Sequence, residues 1–363
     1  MNAHLVAFLV TLFVSLALVL TQRWHGHFSM DSSVGVQKFH TSPTPRVGGI
    51  AILSGLLAAF MLAEHDVKEI LGPMLLAGSP AFLAGLLEDI TKKVGVLPRL
   101  LATMFSGALI CFLTGIAMRN TGVAGLDWLL KFTPVAVVFT AFAVGGVANA
   151  INIIDGFNGL ATGAVAIMFG AIGLIAFNQG DASLSTVCFL LAAGALGFGA
   201  VNWPLGKIFM GDGGAYLMGF LLAWVAVLLP MRNLEVNAWA AMLVCAYPVL
   251  EVGFSYRRKS GREGHRPGQP DKVHLHMLVH RRVARPMFSK HSRALQNGMT
   301  SPFAWLYAAL PAVWAVIFAK NTFALVMGFV LAIIIYSIIY KRLIQFKWNL
   351  KWKTRIFFGR IYK

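Results

Sequence analysis

The stretch TPVAVVFTAFAVGGVANAINIIDGFNGLATGAVAIMFGAIGLIAF, residues 133–177, decides how the chain is read. Its two flanks, 133–148 and 160–177, are apolar and close to the length of about 20 residues that crosses a bilayer. Between them, NAINIIDGFNGLATG (149–163) crowds three Asn, one Asp and three Gly into a small space. Polar side chains at membrane depth are costly and mark functional sites by default.

The same pattern extends over the whole chain. Of 363 residues, 58% are hydrophobic and 12% charged, against about 25% charged in a soluble domain. Apolar runs recur at 5–21, 48–63, 70–87, 100–117, 133–148, 160–177, 183–201, 215–230, 238–255, 302–318 and 322–340. These predict an all-α, polytopic membrane protein of eleven spans, folded as a single domain over 1–363. The first run has no basic stretch before it and no small-residue cleavage site after it, so it reads as a retained helix. Cys111, Cys188 and Cys245 all lie in apolar runs and read as small packing residues rather than a disulfide framework.

The net charge of +17 would suit nucleic acid, but its placement argues against that partner. With eleven spans, 26 of the 31 Lys and Arg fall on one side and five on the other. The rich side takes 22–47, 88–99, 149–159, 202–214, the loop 256–301 and the tail 341–363. By the positive-inside rule that side is cytoplasmic and the N-terminus periplasmic. The tail mixes Lys and Arg with Trp, Phe and Tyr, which suits a segment lying on anionic lipid headgroups.

Five polar motifs reach that same side: HTSPTPRVGG (40–49), LLEDITKKVG (86–95), NAINIIDGFNG (149–159), FMGDGGAYLMGF (209–220) and PDKVHLHMLVHRR (270–282). Glu88 and Asp89, Asp155 and Asp212 are the carboxylates among them. Each alone could cap a helix; as a set on one face they suggest a composite site. Mg²⁺ takes oxygen ligands, using one or two carboxylates together with phosphates and water. Glycines beside Asp212 let backbone approach a ligand and expose N–H groups at a helix start, where an anion is favoured. Zinc does not fit, because no cysteine accompanies the histidines. His274 and His276 could hydrogen-bond a diphosphate, and Lys38, Arg46 and Arg99 extend the positive field.

In this order, the five motifs resemble the polyprenyl-phosphate N-acetylhexosamine-1-phosphate transferases, over about residues 38–282. The eleven-span layout is similar to the branch that initiates O-antigen synthesis. The resemblance implies transfer of a sugar 1-phosphate from a UDP-sugar to undecaprenyl phosphate, with release of UMP, in the bacterial inner membrane. It implies Mg²⁺ as cofactor and is compatible with a homodimer. By position, Asp89 matches the second acid of the family's pair and Glu88 replaces the first. Asn149, Asn152, Asp155 and Gly156 match the amide-and-aspartate motif. Asp212 matches the metal-binding motif, and His274 and His276 match the histidine motif; on physical grounds Asn152 is a further oxygen ligand to the metal, and Lys38 and Arg99 are further phosphate-binding positions. Asn158 stands where members often carry a second aspartate, and Met277 where many carry a third histidine. Both departures favour the O-antigen type over the peptidoglycan lipid-intermediate translocase. A transporter of an anionic solute would instead place its polar groups near the midplane, often in an inverted repeat, and a non-catalytic scaffold would tolerate loss of the acids.

Overall fold

A computed structural model describes residues 2–31, 43–260 and 273–346. Lys38, the segment 261–272 and the basic tail from 347 onward lie outside the described residues.

In chain order the helices are α1 (Ala3–Leu20), α2 (Gln22–Ser29), α3 (Gly48–Leu62), α4 (His65–Thr91), α5 (Val96–Thr114), α6 (Ala124–Leu129), α7 (Thr133–Ile154), α8 (Leu160–Asn178), α9 (Ala182–Asn202), α10 (Gly211–Arg232), α11 (Ala238–Val244) and α12 (Ala246–Ser260). Then follow α13 (Leu275–Val279), a π-helical turn (His280–Ala284), α14 (Arg285–Met287), α15 (Arg293–Gly298), α16 (Ser301–Ile317) and α17 (Thr322–Ile344). One pair of two-residue strands, β1 (Met30–Asp31) and β2 (Thr44–Pro45), runs antiparallel. The protein is all-α and crosses the membrane many times.

Each of the eleven expected runs is helical, but they are not eleven uniform spans. Among the described residues, nine helices are long and apolar enough to cross a bilayer. α3 has the composition but only 15 residues. The run 238–255, expected as one straight helix, breaks at Cys245 into α11 and α12, bent by 74°. Pro248 explains the break: it has no N–H for the carbonyl of Val244, and its ring crowds the preceding turn.

α10 is the axis of the bundle. Nearly all its residues from Gly211 to Pro230 are buried, and α4, α7 and α3 pack around it. The periphery is the reverse: Phe112, Phe142, Phe177 and Phe323 are exposed where lipid surrounds the bundle. α10 approaches α4 so closely that a Cβ on Gly85 would lie 2.5 Å from the Asp212 carbonyl carbon. This backbone contact holds the start of α10 against the end of α4, where two of the expected acids sit.

Candidate active site

Two of the sequence motifs form one backbone unit. The Phe209 N–H donates to the Pro45 carbonyl at 2.8 Å, and the N–H groups of Gly48 and Gly49 donate to the carbonyls of Phe209 and Met210, each at 2.9 Å. On its other side, the Arg46 N–H donates to the Ser29 carbonyl at 2.8 Å. The TPRVGG segment is thus clamped between the end of α2 and the start of α10, which fixes Arg46 over the first turn of α10. Pro45 needs no donor of its own there and offers only its carbonyl.

Asp89, in the last turn of α4, closes the start of α10. Its carboxylate accepts the N–H groups of Asp212 and Gly213, each at 2.9 Å, and is buried. The Nε of Arg46 lies 3.1 Å from the same carboxylate. Gly211 makes the approach feasible: its φ is +74°, and a Cβ there would sit 2.5 Å from Asp89 Oδ2. Both Asp89 oxygens are therefore engaged, and the residue aims Asp212.

Asp212 is the centre of the site. Arg46 donates from Nη2 to Oδ1, Arg99 from Nη1 to Oδ2, and the Asn152 side-chain amide donates to Oδ1 at 3.0 Å. Burial alone would lower the pKa of Arg46, but the charges of Asp212 and Asp89 outweigh it and raise the pKa above the ordinary value. The Arg46 guanidinium stays charged.

Asp155 is the C-cap of α7, partly exposed, and among the described residues no group donates to its carboxylate. Its position deep in the end of the bundle pushes its pKa up to about 7; the charge of Arg46 pulls it down, and those of Asp212 and Asp89 add to the rise. It is the one expected acid whose carboxylate is not committed to holding the fold together. Glu88 turns the other way and accepts the Val94 N–H at 2.8 Å in the loop after α4.

The stretch 149–159 is not wholly a loop, as the sequence suggested. α7 runs on to Ile154, so Asn149 and Asn152 lie on a helix, three residues and roughly 300° apart. Asn152 reaches Asp212, whereas Asn149 donates to Thr103 Oγ1 at 3.0 Å and to the Gly145 carbonyl at 2.8 Å, joining α7 to α5. Asn158 is buried and structural. Its N–H donates to Asn297 Oδ1 at 2.8 Å, its amide donates to the Pro204 carbonyl at 3.0 Å, and its carbonyl accepts the Ser301 hydroxyl at 2.6 Å. The next residue, Gly159, donates its N–H to Asn202 Oδ1 at 2.5 Å.

The histidine motif closes the opposite wall. His274 caps α13 and His276 lies within it, with parallel rings 5.4 Å apart. His276 is buried, and a Cβ on Gly156 would lie 3.7 Å from its Nε2, so the motif faces the turn that carries Asp155. Burial lowers the pKa of His276 to about 4. It is uncharged at neutral pH and serves as a hydrogen-bonding group, so positive charge at the site comes from Arg46 and Arg99. His280 likewise falls to about 4 through burial and the nearby Arg285 and Arg281, and its Nδ1 lies 2.9 Å from Thr300 Oγ1.

The structure thus brings together Asp89, Asn152, Asp155, Asp212 and Arg99, with Gly156, His274 and His276 across from them. It turns Glu88 and Asn149 into neighbouring contacts. Two further residues emerge: Arg46, read from sequence only as background charge, and Glu251, a buried acid on α12 bonded to His274 at 2.8 Å. A single acid within an otherwise apolar run was the signal for the second. Among the described residues no three His, Cys, Asp or Glu side chains lie close enough to hold a metal by themselves. Asp212 offers oxygen atoms of the kind Mg²⁺ takes, and here both of them accept hydrogen bonds from Arg46, Arg99 and the Asn152 side-chain NH₂ group.

A many-span helical bundle with carboxylates, guanidiniums and imidazoles gathered at one end defines a membrane protein suited to phosphate chemistry at the bilayer surface. The sequence pattern of glycosyl transferase family 4 matches residues 71–230, which run from α4 to α10 and include Asp89, Asp155 and Asp212. The chain is similar to an undecaprenyl-phosphate alpha-N-acetylglucosaminyl 1-phosphate transferase of Yersinia pestis, with 30% identity over 84% of this chain and 82% of that protein. A protein of the same name from Escherichia coli O157:H7 is 27% identical over 75% of both. A decaprenyl-phosphate N-acetylglucosaminephosphotransferase of Mycobacterium leprae is 30% identical over 67% of this chain and 70% of that protein. The chain belongs to glycosyl transferase family 4.

Proposed function

We propose that the protein transfers an N-acetylhexosamine 1-phosphate from a UDP-sugar to undecaprenyl phosphate, releasing UMP, as the first membrane step of an envelope polysaccharide such as O-antigen. The observation that carries this reading is the convergence of Asp89, Asn152, Asp212, Arg46 and Arg99 at one end of a membrane bundle. It is supported by relatives named for sugar 1-phosphate transfer to polyprenyl phosphates.

Two phosphorylated substrates must meet despite their mutual repulsion. Arg46 and Arg99, which pair with Asp212 here, would turn toward the phosphates and grip them through two parallel donors. Asp212 would hold Mg²⁺, with Asn152 turning its amide oxygen toward the ion; bound there, Mg²⁺ would supply charge to the diphosphate and its UMP leaving group. Asp89 holds the start of α10, so that Asp212 and the arginines keep their relative placement. An oxygen of the acceptor phosphate bonds to the sugar-linked phosphorus as the bond from that phosphorus to the UMP oxygen breaks. The second pKa of a phosphate monoester is about 6, so the acceptor is largely a dianion near neutral pH. Asp155, with its raised pKa, suits the task of taking the residual proton or orienting the acceptor.

The charge asymmetry of the loops supports a site on the cytoplasmic side of the inner membrane, where soluble UDP-sugars meet a bilayer-confined acceptor. The test is to incubate membranes containing the protein with undecaprenyl phosphate and a panel of labelled UDP-sugars, then to identify the lipid product. The expected product is a lipid-linked sugar diphosphate, with UMP formed in equal amount. Failure to form it from any N-acetylated UDP-sugar would refute the reading.

A further inference from the structure

α12 carries one acid, Glu251, inside an apolar helix. It is completely buried; around it stand Tyr247, Tyr307 and Tyr336, and the histidine motif supplies donors to its carboxylate. The same oxygen, Oε1, lies 2.8 Å from His274 Nδ1 and accepts the Leu275 N–H at 3.0 Å. The second oxygen, Oε2, lies 3.9 Å from His276 Nδ1, beyond hydrogen-bond reach. One carboxylate thus grips two successive residues at the start of α13 and stands behind both stacked imidazoles.

The geometry has a chemical consequence. An ionised carboxylate only accepts hydrogen bonds, and Oε1 accepts both here, so the donor of the 2.8 Å bond is His274 Nδ1. That assigns the His274 tautomer and leaves Nε2 as its uncommitted ring nitrogen. His276 follows two residues later on the same anchored turn. Its Nε2 is buried and, among the described residues, has no hydrogen-bond partner, and it faces Gly156 beside Asp155. An orphaned polar atom of this kind, pointed at a functional turn, calls for a partner supplied by a ligand.

We propose that Glu251 is the positioning residue of the histidine motif: its carboxylate fixes the His274 tautomer and the start of α13, so that the His276 edge faces the phosphate-bearing substrate at the Asp155–Gly156 turn. The clause concerning substrate rests on the transferase reading above; the hydrogen-bond role does not. Glu251 acts through the imidazoles and touches no reacting atom. Carboxylates behind catalytic or metal-bound histidines set ring orientation in this way, and their loss typically costs about 10–100-fold.

Three variants separate the roles. Glu251→Gln keeps an oxygen that can accept from both His274 and Leu275, Glu251→Ala removes it, and His274→Ala removes the ring that Glu251 holds. Glu251→Ala is expected to lower kcat by about 10–100-fold with KM for the UDP-sugar within about threefold, and Glu251→Gln to lose much less. The double variant Glu251→Ala/His274→Ala should match His274→Ala alone within about threefold, because a residue acting through a partner contributes nothing once the partner is gone. Multiplicative losses in the double variant, or wild-type kcat in Glu251→Ala, would overturn the proposal.

A second measurement is independent of catalysis. In nanodiscs, the protein carrying ¹⁵N-labelled histidine, with His274 assigned by its loss in His274→Ala, should show His274 protonated at Nδ1 in the wild type and in Glu251→Gln. Protonation at Nε2 alone in the wild type would overturn the proposal whether or not the protein turns over UDP-sugars. If Glu251→Ala fails to fold, Glu251→Gln carries both tests: loss of its Nδ1 proton signal refutes the role, and retention supports it.

Discussion

Substitution of Asp89 separates a structural role from a chemical one. In sequence it looks like a catalytic acid; in the fold its two oxygens hold the start of α10. Asp89→Ala would remove two hydrogen bonds of 2.9 Å from buried backbone donors. Hydrogen bonds to charged acceptors contribute about 1.5–3 kcal/mol each. A lost helix cap alone costs about 0.5–2 kcal/mol, usually in exposed settings. The two donors stay buried without a partner, so the expected loss for Asp89→Ala is about 3–5 kcal/mol. Asp89→Asn keeps one accepting oxygen but turns an NH₂ group toward the other donor, and about 1–3 kcal/mol is expected. The assay is SDS-driven unfolding in mixed micelles, followed by the fluorescence of the nine tryptophans. Trp224, at the core of α10, is almost wholly buried and should report the change. Activity measured on the same preparations completes the test. If Asp89→Ala loses transfer yet unfolds at the wild-type SDS fraction, the anchoring argument fails and Asp89 belongs to the chemistry itself.

Other perturbations test the remaining residues. Asp212→Asn should abolish transfer while leaving membrane insertion intact, and chelation by EDTA should silence the wild type until Mg²⁺ is restored; metal-independent turnover would count against the Mg²⁺ assignment. Asp155, with a pKa raised to about 7, becomes a carboxylate only above that pH. Transfer should rise between about pH 6 and 8, and Asp155→Asn should lose that inflection. The same shift means that the folded protein holds a proton which the unfolded chain, with an ordinary carboxylate pKa of about 3.9, has released. Stability from this group is therefore lost as pH rises from about 4 to 7, and Asp155→Asn should flatten that slope in SDS unfolding. Asn158→Asp, which restores the acid common among family members, would set a carboxylate against the Pro204 carbonyl in place of a donor. A loss of about 1–3 kcal/mol is expected, and an unchanged unfolding curve would show that the buried amide contacts carry little weight.

The sequence discloses the spans because lipid imposes the same demand on every exposed helix, and it discloses the common side of the motifs because charge bias follows topology. It does not disclose direction around a helix where the boundary is misjudged. Sequence assigns both Asn149 and Asn152 to the nucleotide sugar, and Asn152 also to the metal; with α7 extending to Ile154, helical rotation sends Asn149 to Thr103 and only Asn152 to Asp212. Partners far apart in sequence are equally hidden: Asp212 meets Arg46 across 166 positions, and Glu251 meets His274 across 23. The motifs that sequence groups into one composite site are also parts of a single scaffold. Pro45, Gly48 and Gly49 bind the backbone around Phe209 and Met210, Asp89 binds the next turn, and only then do Asp212, Arg46 and Arg99 face one another. The glycines and proline of HTSPTPRVGG and FMGDGG are therefore explained first by the fit of backbone to backbone. Their effect on the chemistry follows from where that fit leaves one carboxylate and two guanidiniums.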